Sequence, residues 1–202
     1  MRDRRWALLP LISLCAVAGL GQAAESPVPA AQPAAPGGCL ASGDGFLRAR
    51  IRGAFNLDID WKNAQLECDG SPRPNGHGIR VSFAGPQQPD GRRIRMVFGV
   101  ATAAEGASGR ALPTNITLIF EGEKRLFTTR GDDRCTVDRL RQEKLSGATA
   151  AAHTYRGVAR GFCTLPALAL GQTEHVVITR FDFAGRVSFD ELTPASMPEA
   201  LR

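Results

Sequence analysis

Aromatic residues suited to exposed platforms are nearly missing: the chain has one tyrosine and two tryptophans, and Trp6 sits in the opening segment. Stacked Trp and Tyr rings are the usual sugar-binding surface of β modules. A carbohydrate module with several platforms is therefore excluded, leaving Trp61 and Tyr155 as single candidates. Trp61 is the better placed, at a strand end, although its parity also suits the core. Histidine is equally scarce. His77, His153 and His175 form no HExxH or HxH spacing, and neither GxSxG nor SxxK occurs. The zincin and nucleophile-elbow classes are thereby excluded. Amphipathic helical periods are also lacking. Only Thr164–Gln172 is expected to form one or two helical turns, and Asp138–Leu145 fits neither helix nor strand period. No apolar run after Leu20 is long enough to cross a membrane.

What is present begins with a basic start, MRDRRW, then an apolar stretch from Ala7 to Leu20 and small residues at Gly21 to Ala23. That order is a secretory leader, expected to span residues 1–23. Leu14 is too bulky to precede a lipidated Cys15. Removing the leader takes away three arginines and one aspartate, so the formal charge falls from +5 to +3. Arginine then outnumbers lysine 19 to 3, but the arginines alternate with apolar residues instead of forming a run. A nucleic-acid partner is not expected from this pattern. Four cysteines remain, Cys39, Cys68, Cys135 and Cys163, an even number suited to two disulfides in an oxidising compartment. Three connectivities are possible. The separations of 29 (Cys39 to Cys68) and 28 (Cys135 to Cys163) favour local pairing.

Residues 24–38 form a Pro/Ala-rich linker expected to be disordered. Short alternating runs follow, such as Ile79–Val81–Phe83, Ile94–Met96–Phe98 and Ile116–Leu118–Phe120, separated by Gly, Pro, Asp and Asn. This is the pattern of an all-β fold, an antiparallel β-sandwich or flattened barrel of about 8–10 strands. It occupies residues 39–189 as one domain, and a polar tail covers 190–202.

The stretch GFLRARIRGAFNLDIDWKNAQLEC, Gly45 to Cys68, carries the densest signal. Leu47, Ala49, Ile51, Gly53, Phe55, Leu57, Ile59 and Trp61 share odd parity and hence one face. Parity flips after Trp61, which predicts a two-residue turn at Lys62-Asn63 with Trp61 opposite Ala64 and Asp58 opposite Glu67. Before Trp61 it does not flip. A three-residue reversal would align Arg50 with Asp58 and Arg48 with Asp60, but it demands a left-handed Phe55. One long strand bent at Gly53 is therefore expected. A second long run, His175 to Phe189, repeats this pattern with Gly185 inside it.

The polar side of that stretch supplies the binding candidates Arg48, Arg50, Arg52, Asp58, Asp60 and Glu67, together with Trp61. Its carboxylates, with Asp69, require arginines from a neighbouring strand or a cation such as Ca²⁺. Arginine is the expected partner, and no metal or cofactor is expected. Arg130-Gly131-Asp132 reads as turn chemistry before Cys135. No catalytic residue is assigned, and enzyme activity is not favoured. The functional expectation is an exported, periplasmic or secreted, non-enzymatic binding or accessory envelope protein with a protein or polysaccharide partner. The alternative is a glycosidase-like hydrolase using paired carboxylates among Asp58, Asp60 and Glu67.

Overall fold

The computed structural model describes residues 38–146, 152–171 and 173–190. The expected leader, the linker up to residue 37 and the tail beyond Asp190 lie outside the described residues. Eleven strands run β1 Phe46–Gly53, β2 Leu57–Lys62, β3 Glu67–Pro72, β4 Ile79–Ala84, β5 Arg93–Val100, β6 Gly109–Glu121, β7 Arg125–Thr128, β8 Cys135–Lys144, β9 Thr154–Cys163, β10 Ala167–Ala169 and β11 His175–Ser188. All pairings are antiparallel, and the all-β class expected from the alternating runs is what the chain adopts.

Two long strands, β6 and β11, organise everything else. The first part of β6 pairs with β8 and the second with β5 and β7. Similarly, β11 pairs with β10 at its start, with β9 along its second half, and with β1 from Val176 to Ala184. The chain of neighbours β11–β9–β8–β6–β7–β10 closes on itself. From this ring β5, β4 and β3 extend beyond β6, while β1 and β2 extend beyond β11. The β3–β5 wing faces β11: Phe83 on β4 lies 5.1 Å from Phe183, and Phe98 on β5 lies 5.1 and 4.8 Å from Phe181 and Phe183, centroid to centroid. Both disulfides pair locally, Cys39–Cys68 and Cys135–Cys163.

Several local expectations are corrected. The stretch from Leu47 to Trp61 is a hairpin, not one bent strand. Arg48 lies opposite Asp60, Arg50 opposite Asp58 and Ile51 opposite Leu57. A five-residue connection preserves parity as a bend would, so the facing pattern could not separate the two. The anticipated strain on Phe55 does not arise, because the left-handed conformation falls on Gly53, at φ +135. A Cβ there would crowd the His175 carbonyl. Ala54 N–H donates to that carbonyl at 2.9 Å, which anchors the reversal on β11. Phe55 turns under the hairpin onto Phe120 and Phe127, with centroids 5.5 and 5.4 Å away.

The predicted Lys62-Asn63 turn is replaced by a 3-10 turn, Asn63–Gln65. Its cause is the buried Asn63 side chain, which accepts from Leu40 N–H at 2.8 Å and Gly45 N–H at 3.1 Å and donates to Leu40 O at 3.0 Å. Meeting those bonds inside the protein takes the place of a tight hairpin. The chain then crosses to the other layer, where β3 pairs with β4 and Glu67 sits opposite Ala84, not Asp58. Thr164–Gln172 forms no helical turn among its described residues. It contains β10, whose Ala167 and Ala169 fill the core between β7 and β11. Asp138–Leu145 fits no simple period because of a bulge between Val137 and Arg139, which lets Val137 and Leu140 both face inward.

A polar cluster stands on the outer side of β3, β5 and β6. Glu121 accepts from Arg93 and Arg95, Arg93 also meets Glu67 at 2.8 Å, and Arg95 reaches Ser82 at 3.0 Å. Burial pushes the Glu121 carboxyl up, but the hydrogen bonds from Arg95 and Arg93 outweigh it and hold the group below the usual range. A depressed carboxyl stabilises the fold above its unfolded pKa, near ~4.3, and loses that contribution as pH falls through the folded value. Glu121→Gln is therefore expected to cost about 1–3 kcal/mol in urea unfolding at neutral pH. The deficit relative to the native chain should close as the pH is lowered below about 4.

Candidate functional site

The β9 sequence TYRGVARGFC alternates small inward residues with an outward set of Arg156, Val158, Arg160 and Phe162. The β8 bulge turns Arg139 outward beside the exposed Asp138, and Arg110 at the start of β6 is likewise exposed. Register brings these together. Arg110 lies directly opposite Arg139, and Arg139 directly opposite Arg160. Arg160 then faces Asp182 on β11, two residues from Arg180. Neighbouring strands lie about 4.8 Å apart, so three arginine side chains leave adjacent positions across three strands. Like charges directly opposite on a ladder are unfavourable. Among the described residues, no carboxylate comes within 4.0 Å of Arg110, Arg139, Arg160, Arg180 or Arg186.

This face is not flat. A groove of about 480 Å³ runs between β9 and β11, walled by Asp138, Arg160, Phe162, Thr179, Arg180 and Asp182. A second depression of about 520 Å³ lies over Arg110, Arg139, Leu140 and Arg141. Members of the row line both, Arg160 the first and Arg110 and Arg139 the second. Toward the rim, charges balance: Arg141 meets Glu143 at 3.2 Å, and Arg156 reaches Asp44 at 2.8 Å and Glu143 at 3.1 Å.

The residues singled out from sequence behave differently. Arg48 pairs with Asp60 at 3.2 Å and Asp182 at 3.5 Å, Arg50 with Asp58 at 3.4 Å, and Arg52 with Asp58 at 2.8 Å. Lys62 adds a contact to Asp60 at 2.8 Å, and its hydrogen bond is the largest cause holding Asp60 below the usual carboxylate range, ahead of Arg48. These carboxylates have their arginine partners across the hairpin. Every one of these carboxylates is paired, with four cations sharing Asp58, Asp60 and Asp182, and such exposed pairs are individually weak. Glu67 is on the other layer with Arg93, so Asp58, Asp60 and Glu67 do not converge on a cleft. Trp61 is half-buried, its ring lying against Gly85. It lines a smaller cleft of about 330 Å³ with Arg92, Arg93, Ile94, Phe120 and Glu123.

His77 and His175 are exposed at a loop and a strand start. His153 lies 2.7 Å from Glu105 through Nδ1, and the Tyr155 hydroxyl donates to the same carboxylate at 2.9 Å. His153 first, then Tyr155, hold Glu105 below the usual range, while the bond to Glu105 pushes the Tyr155 hydroxyl up. The nearby hydroxyls of Ser188 and Thr154 are directed at Asp190, so no hydroxyl is set against the imidazole as a nucleophile. Asp132 of the Arg-Gly-Asp tripeptide is held by Arg73 at 2.9 Å and by Asn115.

Sequence reading missed Arg110, Arg139, Arg160 and Arg180. Each sits singly inside its own strand, and only strand register lines them up. Outward parity in VARGF and TRFDF was the available signal, whereas Arg139 faces outward only through the β8 bulge. Comparison with protein-family models, curated proteins and solved structures finds no match to the chain.

Proposed function

We propose that the chain is an exported, non-enzymatic binding protein of the cell envelope whose ligand is anionic and docks on the row Arg110–Arg139–Arg160 with Arg180. The observation that carries this is the placement of arginine directly opposite arginine across consecutive strands, with none of Arg110, Arg139, Arg160 and Arg180 in an ion pair within 4.0 Å among the described residues, although Asp182 stands opposite Arg160. Folding holds those charges together at a cost, and a bound polyanion removes it by charge-assisted hydrogen bonding. Two disulfides suit an oxidising compartment, and the leader pattern at the start supplies the route to it.

The test is the double variant Arg139→Gln/Arg160→Gln with dextran sulfate as the polyanion. Dextran sulfate should raise the melting temperature of the native chain at low salt and lose that effect as salt screens the contact. The variant should bind at least about tenfold more weakly. Without ligand it should be slightly more stable at low salt, by about 0.2–1 kcal/mol, because the repulsion is gone. An unchanged melting temperature of the native chain with dextran sulfate would sink the proposal, as would equal binding by the variant.

A further inference from the structure

The large hydrophobic side chains that remain exposed among the described residues are Phe162 at 37%, Leu165 at 40%, Leu168 at 40% and Leu170 at 63%. All four fall within nine consecutive positions. Exposed apolar residues scattered singly over a surface need no explanation, but a run of this kind does. Its first residue borders the arginine row, and the rest of the run leads away along the same side of β11. Phe162 walls the groove that Arg160 and Arg180 line. The chain then passes Cys163, and the Leu165 N–H is held by the Arg134 carbonyl at 3.3 Å. Leu168 projects outward from β10, opposite His175 and Thr128, and the Leu170 N–H is bonded to the Leu126 carbonyl at 2.9 Å. The alternate residues Ala167 and Ala169 are buried, so the leucines cannot turn inward without tearing the sheet.

Resting on the anion-binding reading above, we infer that this edge docks on an anionic lipid bilayer: the arginine row meets the phosphates, and Phe162, Leu165, Leu168 and Leu170 enter the headgroup–acyl boundary. Charge complementarity and adjacent apolar side chains together are what interfacial binding requires. A soluble polyanion would use the arginines and leave the leucines idle. A protein partner would cover the leucines without calling for a row of unpaired cations. Single-stranded nucleic acid would ask for several stacking rings, and among the described residues Phe162 is the only exposed aromatic lining the groove.

Sedimentation with phosphatidylcholine–phosphatidylglycerol vesicles, against pure phosphatidylcholine vesicles, tests this, with dextran sulfate binding as the parallel measurement. The native chain should prefer the anionic vesicles by roughly tenfold or more, since each arginine near the surface contributes about fivefold. Leu168→Ser/Leu170→Ser changes only exposed side chains. It should weaken vesicle binding by roughly tenfold or more and leave dextran sulfate binding and melting temperature unchanged. Arg139→Gln/Arg160→Gln should weaken both. Dextran sulfate binding without vesicle binding would overturn the lipid inference and keep the anionic-ligand reading. Binding to neither would overturn both. Equal vesicle binding by the leucine variant, or equal binding to neutral vesicles, would also overturn the lipid inference.

Discussion

Phe98→Ala is expected to lower the unfolding free energy by about 3–5 kcal/mol, measured as the shift in urea midpoint at constant slope. Phe98 is wholly buried on β5. Its ring stands 6.0 Å from Phe83 on the neighbouring strand, and 5.1 and 4.8 Å from Phe181 and Phe183 on the facing β11. Truncation removes the apolar transfer term, the aromatic contacts across the layers and the filling of that space. Relaxation can recover little. Phe181 and Phe183 are carried by a strand paired on one side to β9 and on the other to β1, so they cannot move into the gap without breaking two ladders. A domain of this size has about 5–15 kcal/mol in total, so the variant should unfold at distinctly lower temperature. A loss below about 1.5 kcal/mol would mean that the two layers do not depend on this aromatic cluster.

The parts of the fold readable from sequence are those that depend on parity within one strand. Ile79, Val81 and Phe83 alternate toward the core as written, as do Met96 and Phe98, Ile116 and Leu118, and Phe181, Phe183 and Val187. Leu47, Ala49, Ile51 and Ile59 also turn inward, with Phe55, Leu57 and Trp61 packed against them. What parity cannot carry is the partner. A five-residue reversal and a bent strand leave the same side chains inside, and the choice fell to Gly53, whose conformation suits the reversal and whose backbone approaches His175. Asn63 defeated the turn prediction because its side chain serves residues 18 to 23 positions away, and a local reading does not see such a bond.

The same limit explains the candidate site. The hairpin charges drew notice because Arg48, Arg50, Asp58 and Asp60 stand close together in sequence. Proximity in sequence is also what let them pair with one another. Arg110, Arg139 and Arg160 are separated by twenty or more positions, belong to three strands, and meet only through the registers of β6 with β8 and β8 with β9. Lateral clustering on a sheet is invisible to a search for basic runs, and outward parity was plain only in β9 and β11, since the bulge in β8 hides that of Arg139.

The second large effect concerns the staple at the end of that row. Cys135 and Cys163 lie directly opposite each other on β8 and β9, closing a loop with a sequence separation of 28, against 29 for Cys39–Cys68. Chain entropy makes the two crosslinks nearly equal, roughly 3.5 kcal/mol each. Cys135→Ala/Cys163→Ala and Cys39→Ala/Cys68→Ala should therefore each cost about that much in denaturant unfolding, the small apolar replacement suiting the buried Cys39, Cys135 and Cys163 and the half-buried Cys68. Their consequences for the arginine face should differ. The first pair clamps the strands carrying Arg139 and Arg160, and its loss frees the β8–β9 end beside Phe162, so weaker binding of the anion should accompany the lost stability. The second pair joins the segment before β1 to β3 on the opposite layer, and its loss should leave the row intact at temperatures where the chain stays folded. Equal weakening of binding by both double variants would show that the row depends on global stability and not on the local clamp.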